Sequence, residues 1–155
     1  MSGRERAPLY VESPIIMTTV RVVAPFVLTF GLFIMLHGAD SPGGGFQGGV
    51  IAGSVVMMTA FAFGIDATRE WIDARAIVGL TSLGVLTFAG IGLGAMALDG
   101  AFLQYDVYAP YISHASKYGI ELVELAIGGI VAGVVVGLFF VLSAGFGHAD
   151  GGEEA

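Results

Sequence analysis

The sequence predicts an all-α integral membrane protein of four transmembrane helices, with a short Gly-rich joint between the first two. Three observations predict it. Of the 155 residues, 55% are hydrophobic and 12% charged, with mean hydropathy +0.85, whereas a soluble domain carries about 25% charged residues. The apolar residues gather into four runs, each near the length of about 20 residues that crosses a hydrocarbon core. Glycine is abundant at 25 residues, and small residues let membrane helices approach closely. The bilayer is therefore the expected first partner.

The same composition excludes several classes. Without cysteine there is neither a disulfide framework nor a thiolate metal site. A net charge of −7 with only six Lys and Arg lacks the basic footprint of a nucleic-acid binder. No close spacing such as His-x-x-x-His suggests a metal, and nothing in the sequence asks for a cofactor. No nucleophile stands beside a base, so catalytic residues are not assigned and the chain does not read as an enzyme.

The first span covers about 15–37, interrupted near its start by Arg21. It is too long for the h-region of a signal peptide and ends in no small-residue cleavage site, so it should remain as an anchor. Pro25 removes a hydrogen bond to the Arg21 carbonyl and is expected to kink this span, while Arg21 snorkels toward the nearer surface. The second span, 46–65, and the third, 76–98, carry no charge that would mark a solvated face. The fourth, 118–146, holds Glu121 and Glu124 in its first turns. The domain plan is thus an N-terminal segment 1–14, a membrane domain 15–146, and an acidic tail 147–155.

Orientation follows from Lys and Arg in the short flanks. Arg4, Arg6, Arg21, Arg69 and Arg75 lie on one side and only Lys117 on the other. This bias predicts both termini in the cytoplasm, with the Gly-rich joint and the 99–117 loop outside. In that loop Phe102, Tyr105, Tyr108 and Tyr111 recur at steps of three. They fit either a stretch lying in the headgroup zone or a loop folded over the bundle top.

The joint, "HGADSPGGGFQGGVIAG" at 37–53, matches two nucleotide motifs by letter. Gly43-x-Gly45-x-x-Gly48 with Asp66 beyond it imitates a dinucleotide fingerprint. The context fails, because the following helix is apolar all round and the preceding run is no short strand. A phosphate loop fails as well, since Gly49-Val50 replaces the required Lys and Ser or Thr. A packing role explains more. Pro42 stops the first helix, Asp40 or Ser41 is placed to cap the next, and Gly45, Gly49 and Gly53 form a smooth stripe at steps of four. The helix start also favours a carboxylate or anion, and both readings stay open.

A family resemblance enters here. "PGGGFQGG", the packing motif Pro42, Gly43, Gly44, Gly45, Phe46, Gln47, Gly48 and Gly49, follows a helix ending in "LHG". It resembles the signature of the MnhB-like domain family, membrane subunits of the multisubunit Mrp/Mnh-type monovalent cation/proton antiporters. "YGIELVELAIGGIVAG" at 118–133 is similar to that family's last helix start. The resemblance implies a subunit of a sodium/proton antiporter in the plasma membrane that buttresses, and extends, an ion pathway. Its implied partners are large antiporter-like subunits and small membrane subunits. Similar domains in hydrogenase-like redox complexes are the alternative, followed by a stand-alone, self-associating membrane scaffold or channel. One departure concerns histidine: the family pattern has Gly-His shortly before the proline, whereas here His37-Gly38 comes first and Ala39 takes the histidine's place.

Ionisable residues mark the candidate pathway. At 100° per residue, Glu121, Glu124, Gly128 and Ala132 fall within an arc of about 80°, so both carboxylates share a face with small residues. A carboxylate within a span is costly, faces protein or water, and is ready to take up a proton. The competing reading is that both stabilise the helix start through its dipole. Asp40 and His37 join them as candidates lining an entrance. No span carries a central ionisable residue, so a complete proton path requires other subunits.

Overall fold

The computed structural model describes residues 13–38 and 42–149, with side chains through 144. Helix α1 is Pro14–Leu36, α2 Gly45–Phe63, α3 Ile65–Trp71, α4 Ala74–Ala97 and α5 Ala115–Ala149, with a 3-10 turn at Tyr105–Tyr108. Helices α1, α2 and α4, and α5 through Ala144, are each long and apolar enough to cross a membrane. The chain is a multi-pass membrane protein.

The helix ends follow from local chemistry. Pro14 opens α1 at a position whose N–H would be unpaired in any case. Pro25 lies inside α1, and Thr29 Oγ1 donates to its carbonyl at 2.8 Å. Gly44 starts α2 with φ of 142°, an angle that disfavours side chains. The N-cap is thus a glycine with no side-chain cap bond, not Asp40 or Ser41, which lie outside the described residues. Gly64, at φ 105°, ends α2 and turns the chain into α3. Asp73 caps α4, its Oδ1 accepting from the Arg75 N–H at 2.8 Å.

Helices α1, α2 and α5 pack on one another, most closely α1 on α2 and α2 on α5, and α4 packs on α5. Among the described residues α4 touches neither α1 nor α2. The order shows in the burial of each span, 11% for α1 and α4 at the edges against 28% for α2 and α5 between them. Along α5 the gap between α2 and α4 forms a shallow apolar groove of about 260 Å³, lined by Ala52, Gly53, Ala76, Ile77, Ala132 and Gly133.

Two features go beyond the sequence pattern. Helix α3 fills what reads as a loop between the second and third spans, with Trp71 87% exposed at its end, as suits an aromatic at a membrane interface. The long connection before α5 folds back onto the helices. Phe102 covers Gly92 and meets Phe88 edge-on at 5.9 Å. Tyr105 covers Gly119. The Tyr108 hydroxyl donates to the Ile91 carbonyl at 2.7 Å. Of the four loop aromatics, Tyr105 and Tyr108 are half-buried, while Phe102 is 46% and Tyr111 74% exposed. The folded-over alternative is therefore the one adopted.

Candidate functional site

The joint between α1 and α2 packs on α5 with almost no side chain between the backbones. A Cβ on Gly45 would fall on the Glu124 carbonyl and lie 2.9 Å from the Gly128 nitrogen. One on Gly49 would lie 2.6 Å from the Gly128 oxygen. Real Cβ atoms do not come that close, so glycine is required at both. Gly53, one turn further, meets Val135 at an easier 3.1 Å. Gly48 faces the other way, toward the Gly31 carbonyl and Met35 of α1. Met35, buried, fills the space between Gly48 and Gly128 and ties α1 to α5.

Glu124 comes out of this seam. Its carboxylate occupies the space a side chain on Gly38 would take. A Cβ on Gly44 would lie 3.4 Å from Glu124 Oε1 and equally far from Gln47 Oε1. Glu124 Oε2 is enclosed and has no hydrogen-bond partner. An enclosed oxygen without a donor is expensive for an ionised carboxylate and is relieved by a proton or a cation. Glycines on both flanking segments thus leave a chamber the size of one carboxyl group.

The other candidates are placed differently. Glu121, one turn nearer the end of α5, reaches Lys117 Nζ at 3.9 Å, with its side chain 26% exposed. The shared face read from the sequence divides into an ion pair at Glu121 and, at Glu124, a carboxylate with one shielded, unpartnered oxygen. His37 lies along α1, its ring stacked on Phe33 at 4.0 Å. Its Nδ1 is 3.0 Å from the Phe33 carbonyl, a contact in which the ring nitrogen donates. Asp40 lies outside the described residues. Phe46 and Gln47 sit on the exposed side of α2, and Pro42 is exposed ahead of it. Arg21, at the opposite end, lies over the Phe63 ring, 5.1 Å from its centre. Among the described residues no group of three or more His, Asp or Glu is arranged to hold a metal ion.

Tyr105, which the sequence marks only as one aromatic among four, seats its ring against Gly119 of α5. Burial first, and the Glu124 carboxylate second, push its phenol above the ordinary tyrosine range. Gly119, whose missing side chain admits the Tyr105 ring, is the signal that could have found it.

Comparison with known proteins gives a consistent result. The family model described as "Domain related to MnhB subunit of Na+/H+ antiporter" matches residues 15–137. Relatives named "Putative antiporter subunit mnhB2" occur in Staphylococcus aureus strains MRSA252, Newman and JH1. Each is 31% identical over 140 residues, covering 86% of this chain and 97% of the relative.

Proposed function

As the chain belongs to the family of domains related to the MnhB subunit of Na+/H+ antiporters, we propose that it is a membrane subunit of a multisubunit sodium/proton antiporter in which Glu124 trades protons. The observation that carries the role of Glu124 is its half-buried carboxylate, one oxygen of which is enclosed and unpartnered at the glycine joint. A group so placed gains most from changing its protonation or accepting a cation. Glu121, His37 and Asp40 complete the candidate pathway at the same end. The glycine joint holds α1, α2 and α5 in register around it.

The chain acts as a buttress that extends a path supplied by large antiporter-like subunits and small membrane subunits. Its own described spans carry no other carboxylate within the packed region, so a relay across the bilayer needs them. The cell membrane is its site, with the 1–14 segment and the 147–155 tail in the cytoplasm, by the Lys and Arg bias. It is a component of transport, not a catalyst of covalent chemistry.

The test is sodium-dependent proton exchange in inverted vesicles from cells lacking the chain and complemented with wild type, Glu124→Gln or Glu121→Gln. Glu124→Gln should assemble normally and cut exchange by on the order of tenfold, equivalent to about 1.4 kcal/mol on the barrier. Glu121→Gln loses only a half-exposed ion pair and should change exchange little. Wild-type exchange by Glu124→Gln across pH would remove the proposed role.

A further inference from the structure

The glycine that starts α2 leaves a gap shared by two side-chain oxygens. Gln47 is the third residue of α2, three past the N-cap Gly44. From that position a glutamine side chain can turn back toward the helix start, as in a capping box. Here it does so: a Cβ on Gly44 would lie 3.4 Å from Gln47 Oε1 and 3.4 Å from Glu124 Oε1. The two oxygens are therefore no further apart than twice that distance, and both adjoin the gap that Gly44 leaves. The second oxygen of the same carboxylate, Glu124 Oε2, has no hydrogen-bond partner. The charged and titratable groups at this end are placed otherwise. On α5, Glu121 faces Lys117 at 3.9 Å. On α1, His37 Nδ1 is 3.0 Å from the Phe33 carbonyl. In the connection before α5, Asp106 accepts from Ser116 and the Tyr105 ring sits on Gly119, while Asp99 follows α4 and His114 precedes α5. Helix α2 carries no charge, and Asp40 lies outside the described residues. The Gln47 amide is the uncharged hydrogen-bonding group brought against the carboxylate.

We infer that Gln47 is the hydrogen-bonding partner of Glu124 in both of its protonation states, a positioning residue for the proton that Glu124 trades. The inference rests on the reading of Glu124 as the proton-trading group and names the side chain that tunes it. A primary amide carries both an acceptor and donors, and its last torsion is soft and roughly two-fold. With Glu124 protonated, the acid O–H donates to Gln47 Oε1, the amide atom turned toward it. When the proton leaves, the amide turns over and one of its N–H groups donates to the carboxylate. The gap at Gly44 leaves room for that turn, and the exposed side of α2 leaves Gln47 room to close the distance. A bond to the charged acceptor is roughly twice as strong as one between neutral groups. Gln47 therefore favours the ionised carboxylate on balance.

Dicyclohexylcarbodiimide reacts with carboxyl groups in their protonated form, so the pH of half-maximal labelling reports the protonation of Glu124 itself. The assembled complex is labelled in membrane vesicles, with Glu121→Gln in every chain, and the label lost on adding Glu124→Gln is the part read. Gln47→Leu removes both bonding functions. Its half-maximal pH should rise by about one unit, the difference between a hydrogen bond to a charged group and one to a neutral group. Gln47→Met, unbranched like glutamine, should do the same and decides if the leucine variant fails to assemble. Phe46→Leu alters the neighbouring residue of the same helix start and should leave the midpoint where it is. An unmoved midpoint in an assembled Gln47 variant overturns the inference. So does an equal movement in Phe46→Leu, or the absence of Glu124-dependent label at any pH. An unmoved midpoint beside impaired exchange by Glu124→Gln removes Gln47 and leaves the Glu124 reading. Normal exchange by Glu124→Gln removes that reading and leaves a moved midpoint standing.

Discussion

Along the side of α5 that meets α2, main chain lies on main chain: Gly45 and Gly49 face Glu124 and Gly128 with no side chain between. Along the side that meets α4, glycine mostly receives side chains. Gly129 takes Leu80 and Gly133 takes Thr81, with the Ile77 carbonyl 3.3 Å from a Cβ there, while Gly84 comes close to the Ala126 carbonyl. The first seam is stiff, because neither backbone can move aside without unwinding a helix. The second, apart from Gly84, can yield by a rotamer change. The unpartnered carboxylate oxygen sits at the stiff seam, where a chamber of fixed size can be held open. A site that depends on its dimensions belongs on the seam that cannot relax.

Three substitutions grade this contrast. Gly49→Leu drives a branched side chain into the Gly128 backbone and should remove the chain from the complex, read as loss of the other subunits from a mild-detergent pull-down. Normal recovery would mean that the stiff seam does not hold the assembly together. On the other seam, Gly133→Ala meets the Thr81 hydroxyl, which can turn away at the loss of its 2.9 Å bond to the Ile77 carbonyl. It should cost about 1 kcal/mol, seen as a lowered melting temperature of the intact complex. Gly79 has nothing near it, so Gly79→Ala should raise stability by about 0.5–1 kcal/mol through helix propensity alone. A loss there would show that a neighbouring subunit covers that face.

The spans were legible because hydropathy over about 20 residues is a strong, local signal. Helix α3 was not: seven residues with Asp66, Arg69 and Glu70 read as a polar loop, and its helix is set by Gly64 and by Thr68 turned onto the Gly64 carbonyl. The stripe Gly45, Gly49 and Gly53 could be read as a face from its period of four, but not which helix would meet it. The same limit applied to Glu121 and Glu124. Helical geometry put them on one side of α5, while the difference between rim and interior is made by Gly38 and Gly44, some 80 residues earlier in the chain. Tyr105 depends in the same way on Gly119. Residues whose neighbours come from distant segments acquire their roles only on folding.

Because α4 touches neither α1 nor α2, the described helices close no ring and enclose no lumen. With α1, α2 and α5 in mutual contact and α4 beside α5, they form a solid cluster, not a tube. The ion path proposed at Glu124 therefore finds its opposite bank in a separate polypeptide.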